Sequence, residues 1–314
     1  KGLAGIFSNK SNLFNIEFIM MFIDILKFYK SCDRISEFDQ KISLNDFLIK
    51  NKWSKSFISY HIIPMVSAIW SMPPYEAGKM PMSFFLKFFQ NHGLFKLRNR
   101  PQWFTVSQRS KTYVNKVLSK ISGKYFKNYK IKSVKRISSG VQVYYGGNDE
   151  FFEYDKVVLA THADETLALI KNPTEEETKV LSNFNYKENF AVLHSDEKMM
   201  PKNKKAWSSW NSFVDPKDLN KSSLSYWLNL LENLKIEKNI FLTLNPFREI
   251  PEEKIFKKIK FSHPYFDQKA LDNQKNLQKI QNKQNLLFCG SYFGYGFHED
   301  GIKSSIEMIK NIND

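Results

Sequence analysis

Apolar residues recur at helical spacing through the first third of the chain. Phe14, Phe18, Phe22, Ile25 and Tyr29 fall on one face of a helix over residues 13–29. Glu17 and Asp24 interrupt that run, so it reads as an amphipathic core or lid helix and not as a membrane span. Residues 43–51, 54–68 and 81–91 predict three more helices, punctuated by Trp70-Ser71-Met72-Pro73-Pro74 and by His92-Gly93. The third carries Phe84, Phe85, Phe88 and Phe89, rings that fill a core or line an apolar pocket. Residues 107–121 return to helix. The period then shortens to two. Residues 130–137, 141–145 and 151–161 predict a three-stranded meander, and 157–160 is apolar on both faces, as in the centre of a sheet. Residues 162–171 and 174–183 are helical on either side of Pro173. Strands are expected at 190–194, 207–211, 224–228, 240–244 and 255–261. The second and third of these are expected as neighbours, separated by a polar loop at 215–223. Residues 267–282 read as a helix.

The most informative stretch comes last. Leu286, Leu287, Phe288 and Cys289 form a short apolar strand, Gly290, Gly294, Gly296 and Gly301 follow, and Ile302, Ile306 and Ile309 then fall on one helical face. A strand, a glycine-rich crossing and a helix start make a site for an anion or a polar ring edge. Glycine lets a ligand approach the backbone, and the first helical N–H groups carry the positive end of the helix dipole. The order of elements divides the chain into two domains of mixed α/β class. Residues 98–163 and 284–314 form one. Residues 1–97 and 164–283 form the other, which is discontinuous and helix-rich and has its own sheet.

Of the 314 residues 42% are hydrophobic and 15% aromatic, enough for two cores. The net charge of +15 is either a solvated lysine surface or a match for anionic partners such as acidic lipid headgroups, phosphate-bearing ligands or nucleic acid. The basic residues are dispersed, with no zinc-finger spacing and no RNP motif, which argues against nucleic acid. Cys32 and Cys289 stand outside any CxxC pair, as expected of buried thiols in a reducing, cytoplasmic setting. No signal peptide or spanning helix is visible, so the expected location is cytoplasmic, with peripheral contact to an anionic membrane as the one departure. No His, Asp and Cys set has metal-ligand spacing, so no metal is expected. Ser208 and Ser209 lack the G-x-S-x-G elbow of a serine hydrolase.

Two runs carry a family likeness. Asp155-Lys156-Val157-Val158-Leu159-Ala160-Thr161-His162-Ala163-Asp164 and the run from Cys289 to Gly301 together resemble the flavin-containing amine oxidase superfamily, and within it the bacterial FAD-dependent amine oxidoreductases. Asn91-His92-Gly93-Leu94, Arg100-Pro101-Gln102-Trp103, Ala206-Trp207-Ser208-Ser209-Trp210-Asn211 and Tyr226-Trp227-Leu228-Asn229 match as well, so the likeness runs from residue 13 to the end. The resemblance implies FAD, held in a domain of the glutathione-reductase type beside a substrate domain. Carried over, Gly290 and Ser291 approach the diphosphate or the ribityl chain. His298, Glu299, Asp300, Gly301 and Ile302 lie at the helix start near the flavin's pyrimidine edge. The backbone of Val134 pairs with adenine, and Ala160 and Thr161 end the strand that passes the cofactor. The family's opening strand, G-x-G-x-x-G turn and helix are missing, since Gly2-Leu3-Ala4-Gly5 lacks the spacing. The FAD domain is therefore expected to be incomplete and the chain to be a fragment truncated at its N-terminus. Ser107-Gln108-Arg109-Ser110 also replaces the relatives' Gly-Gly-Ser turn, and Ser291 stands where an acid is common.

His298 is either a flavin neighbour or a polar residue at a helix start, and His162 and His194, at strand ends, read as structural. Trp207, Trp210, Tyr292 and Tyr295 form either part of a packed core or the walls of a substrate pocket. Hydride removal beside a flavin needs dry aromatic walls and no dedicated acid or base, so no catalytic acid or base is expected. The reading is an FAD-dependent oxidoreductase that removes hydride from an apolar or amphiphilic substrate, either an amine or a lipid chain to be oxidised or desaturated. The competing readings are a non-catalytic basic protein that holds acidic lipid or nucleic acid, and a truncated product that does not hold FAD.

Overall fold

A computed structural model describes residues 9–35, 42–96, 98–99, 101–147 and 150–312; Gly2-Leu3-Ala4-Gly5 and Arg100 lie outside them. The chain forms two compact units, Lys1–Asn115 with Lys187–His263 and Lys116–Tyr186 with Pro264–Asp314. These boundaries fall elsewhere than expected. Residues 164–186 and 264–283 go with the meander because Ile170, Leu181, Phe184, Ala270, Leu277 and Ile280 share one core with Val134, Val141, Leu159 and Phe288.

The first unit opens with α1 (Ile16–Ser31), whose N-cap Asn15 accepts the Phe18 N–H. Then comes α2 (Leu44–Lys50), where Ser43 Oγ accepts the Asp46 N–H. Lys55–Phe57 runs through a π-helical turn, Ile58–Ile62, into α3 (Ile63–Trp70). Ser71, in the left-handed region, ends α3 just before Pro73 and Pro74. Helix α4 (Met82–Asn91) buries all four of its phenylalanines. Phe28 of α1 sits at the middle of this aromatic core, 5.3 Å from both Trp53 and Phe57 and 6.1 Å from Phe85. Most of these rings are thus core, held by area burial and tilted or edge-on packing. Helix α5 (Ser110–Leu118) buries none of its residues and crosses the unit boundary.

In the second unit β1 (Ile131–Ile137), β2 (Gly140–Tyr145) and β3 (Glu150–Tyr154) form the antiparallel meander, with Val134 opposite Val143 and Val143 opposite Phe152. The expected third strand is in fact two. The chain breaks at Asp155-Lys156, and β4 (Val157–Leu159) leaves the meander for a different sheet. Helices α6 (Ala163–Leu169) and α7 (Glu175–Leu181) follow. Thr174 and Glu177 form a reciprocal capping box at the start of α7, and the fully buried Glu177 carboxylate also pairs with Arg136 of β1.

A five-stranded sheet belongs mainly to the first unit. Its strands are β5 (Asn185–His194), β6 (Trp210–Asp215), β7 (Asp218–Trp227), β8 (Phe241–Leu244) and β9 (Ile255–Tyr265), in the order β6-β7-β8-β5-β9. The expected polar loop at 215–223 is instead a tight hairpin, with Asp215 opposite Asp218 and Ser222 opposite Val214. The polar residues stay at the hairpin end, where Asp218, Asn220 and Lys221 are half-buried or exposed. After α8 (Gln268–Gln274) the helix tightens to a 3-10 turn, Leu277–Ile280, and does not run on to 282. The chain finishes with β10 (Leu286–Phe288) and α9 (His298–Ile309). On α9 the shared isoleucine face is turned outward. Ile302, Ile306 and Ile309 are exposed, and Ser304 and Met308 are buried. Among the described residues no helix is long and apolar enough to cross a membrane.

Candidate functional site

Strand β10 is buried along its whole length and pairs in parallel with β4, Leu286 against Val157 through Phe288 against Leu159. The Cys289 N–H extends the ladder to the Leu159 carbonyl at 3.2 Å. On the other edge of β10, a side chain takes the place of a strand. The buried Gln281 amide donates to the Phe288 carbonyl at 2.8 Å and accepts the Phe288 N–H at 3.0 Å. The crossing starts at Gly290, with φ +156°. A Cβ there would lie 2.7 Å from the Tyr292 ring, so only glycine fits. The Gly290 N–H donates to Ser304 Oγ at 2.9 Å, and Ser304 donates to the Gly301 carbonyl at 2.8 Å, which fixes the start of α9 against the turn.

Gln274 holds the outer part of the turn by donating to the carbonyls of Tyr292 (3.1 Å) and Gly294 (2.6 Å). Asp300 accepts the Phe297 N–H at 3.0 Å, and its side chain fills the space beside Gly294, where a Cβ would lie 2.8 Å from Asp300 Cβ. Tyr292 is buried between Phe184 and Phe293, with no partner for its hydroxyl among the described residues. Burial pushes that hydroxyl's pKa well up, so it stays protonated. At the end of β4, the Tyr186 hydroxyl accepts the Ala163 N–H at 2.9 Å, and its ring stacks on His162 at 4.3 Å.

Most of the expected cofactor residues meet here. A Cβ on Gly290 would meet the Tyr292 ring first and lie 3.7 Å from the Thr161 carbonyl, and one on Gly301 would meet nothing nearer than the Ser291 nitrogen at 4.0 Å, so the end of β4, the crossing and the first turn of α9 approach one another through their backbones. Ala160 and Thr161 are exposed, and Ser291 is half-buried. His298, Glu299 and Ile302 are exposed on the first turns of α9, where Glu299 pairs with Lys303 at 3.4 Å. Val134 stands apart. It is buried in the core, and its carbonyl accepts the Lys171 N–H at 2.9 Å, so it offers adenine no open edge.

FAD, which the sequence likeness implies, fits this crossing in part. The exposed end of β4 at Thr161, the half-buried crossing at Gly290 and Ser291 and the orphaned Tyr292 hydroxyl suit the hydroxyls and ring edges of a flavin. The start of α9 does not suit a diphosphate. Glu299 and Asp300 already place two carboxylates there, and one of them caps a backbone N–H. Of the two expected ligands, an anion or a polar ring edge, the helix start suits the ring edge better.

The four residues expected to line a substrate pocket divide between the units, Trp207 and Trp210 in the first and Tyr292 and Tyr295 in the second. Trp207 and Tyr292 are core residues. The Trp207 indole donates to the Pro201 carbonyl at 2.7 Å and packs edge-on against Trp227 and Phe241, where area burial holds it. Trp210 is exposed, edge-on to Tyr226, whose hydroxyl burial pushes up to about 12. Tyr295 is half-buried.

His194 is structural, as its place at a strand end suggested. It is fully buried and accepts the Asp196 N–H at Nδ1, so Nε2 donates to Thr243 Oγ1 at 2.7 Å; Thr243 in turn lies 2.7 Å from Ser225 Oγ. Burial holds the imidazole down at about 4, against a smaller upward pull from Asp196. No group of three His, Cys, Asp or Glu that could hold a metal is found among the described residues. Gln281, Gln274 and Tyr186 left no signal in the sequence. Ser304, a small residue three places after Gly301, did.

The arrangement has known counterparts. A fatty acid isomerase from P. acnes that produces CLA aligns over 94% of this chain and 75% of its own, with a TM-score of 0.63 and 11% identity. The chain has the flavin amine oxidase fold. Putrescine oxidase bound to putrescine aligns over 96% of this chain and 76% of its own (TM-score 0.63, 10% identity), and cyclohexylamine oxidase from Brevibacterium oxydans over 88% and 69% (0.55, 12%). No protein-family model matches the sequence, and no curated protein matches it. The likeness is therefore one of fold.

Proposed function

We propose that this chain forms part of an FAD-dependent oxidoreductase of the amine oxidase type, acting on an apolar or amphiphilic substrate. One observation carries the reading. Within a flavin amine oxidase fold, the backbones at Thr161, Gly290, Ser291 and Gly301 approach one another, with the Tyr292 ring packed under Gly290. When bound, FAD supplies the two-electron acceptor for a hydride. The chain's own part is to bind and orient. Gly290 and Ser291 present backbone and hydroxyl groups, Ser304 and Gln274 hold the turn in shape, and Asp300 closes it at Gly294. No acid or base is assigned. The solved neighbours include a fatty acid isomerase and two amine oxidases, so an acyl chain and an amine both remain within the proposed substrate class.

Titration with FAD tests the reading, followed by quenching of flavin fluorescence and by visible absorbance of the purified protein. Saturable binding is expected. Gly290→Val should abolish it, because the new side chain collides with Tyr292. The proposal is sunk if the chain folds by circular dichroism yet takes up no flavin.

A further inference from the structure

Helix α1 is apolar on two opposite faces. Phe28 and Tyr29 turn into the unit with Phe22 and Ile25 beside them, and Asp24 accepts the Ser54 N–H at 3.0 Å from the same side. This is the face whose periodicity the sequence displays. At 100° per residue a second stripe, Ile16, Ile19, Met20, Ile23 and Leu26, lies on the opposite side. All five are exposed, Ile16 at 72%, and Phe14 in the preceding turn is exposed at 90%. Lys27 and Lys30 fall in the same arc at its C-terminal end, and both are exposed. No carboxylate falls in the arc, because Glu17 and Asp24 lie on its flank. A contiguous exposed apolar stripe rimmed by charge marks a surface that another body covers.

The chemistry of the arc selects its cover. A second copy would bring together two chains of charge +15, with nothing on the stripe to offset its lysines. An anionic bilayer meets both features. It takes the aliphatic side chains into the boundary between headgroups and acyl chains, while the lysine ammonium groups reach the lipid phosphates. Sixteen residues are too few to span a bilayer, so the helix lies in the plane of the surface. We propose that α1 docks this protein flat on an anionic membrane through the Ile16, Ile19, Met20, Ile23 and Leu26 stripe. The inference rests on exposure and charge and not on flavin binding, so each can fail without the other.

The test is co-sedimentation with phosphatidylglycerol-containing vesicles and with phosphatidylcholine vesicles, together with emission from a fluorophore attached to Ile23→Cys. Both native cysteines are buried, which leaves that label selective. Binding to the anionic vesicles with a blue shift at position 23 is expected, weakening as salt rises. The double variant Ile19→Glu, Ile23→Glu should bind about 100-fold or more weakly, from the loss of two buried aliphatic side chains. Lys27→Gln with Lys30→Gln should cost roughly fivefold per lysine. All the substituted positions are exposed, and far-UV circular dichroism checks that the variants fold. The proposal is overturned if the folded protein binds neither vesicle at low salt. It is equally overturned if the protein sediments as a dimer that the double glutamate variant dissociates, since a second copy then covers the stripe.

Discussion

The five-stranded sheet and the two-stranded ladder of β4 and β10 hold their strands by different means. In the sheet, β7 pairs with β6 over most of its length and with β8 over Leu224–Trp227, and backbone complementarity does the holding. Its buried polar residues lie along the register. Asn211 is opposite Ser225, Ser225 is opposite Thr243, and His194 bonds to Thr243. In the ladder each strand is three residues long, and a two-stranded pairing is marginal by itself. Side chains do the rest there. Gln281 grips Phe288, Ser304 holds the Gly290 N–H, and the Lys156 ammonium reaches the Ile312 carbonyl. A sheet held by backbone tolerates single changes of side chain, whereas a ladder held by braces does not.

The sharpest way to separate the two is to remove the buried partner of Arg136. Glu177→Ala should destabilise the second unit by about 3 kcal/mol, since it leaves the half-buried Arg136 guanidinium with only the Asn172 carbonyl and removes the reciprocal half of the α7 cap. Urea unfolding gives the magnitude. Hydrogen exchange should confine the loss to residues 116–186 and 264–314, and an equal loss in the five-stranded sheet would break the distinction. Gln281→Leu comes next. It strips both buried backbone groups of Phe288 of their partner and should cost about 3 kcal/mol, whereas a comparable polar change on an exposed strand position of β6 should cost little. Acid acts on the other region. His194 titrates near 4 when folded and near 6.5 when unfolded, so below 6.5 the unfolded chain takes up a proton that the folded one refuses. The first unit should lose about 1.4 kcal/mol per pH unit between those values. His61, held at about 4 by burial, adds to the slope in the same direction. His194→Gln should flatten the slope, and thermal melts from pH 7 to 5 would show it. The smallest effect is expected from Tyr292→Phe, which deletes an unpartnered buried hydroxyl and should leave stability unchanged or raise it by about 1 kcal/mol. A loss of stability there would mean that the hydroxyl is already bonded within the fold.

The same difference explains what could be read from the sequence. Periodicity revealed most helices and strands, because apolar spacing usually records burial, and it missed the hairpin end of β6 and β7. It failed where burial is decided by something non-periodic. Ile302, Ile306 and Ile309 have the spacing of a core face, but the orientation of α9 is set by Ser304 bonding back to Gly290. The break at Asp155-Lys156 carries no glycine or proline, so β3 and β4 read as one strand. At the crossing the need for Gly290 was legible, because close packing of the backbone against a ring demands glycine. Gln281 and Gln274 were not, since an amide side chain gives no sign of a distant partner. The exposed stripe on α1 was hidden by its more conspicuous aromatic face.

The pairing of β4 with β10 also constrains the order of synthesis. Strand β4 leaves the ribosome before any strand of the five-stranded sheet, and β10 leaves after all of them. Its three apolar residues must wait unpaired while the intervening sequence is made, a long-range contact of the kind that folds slowly and recruits chaperones. The crossing at Gly290 is then among the last features to form. A nascent chain stalled before Leu286 would carry every strand of the five-stranded sheet and no crossing.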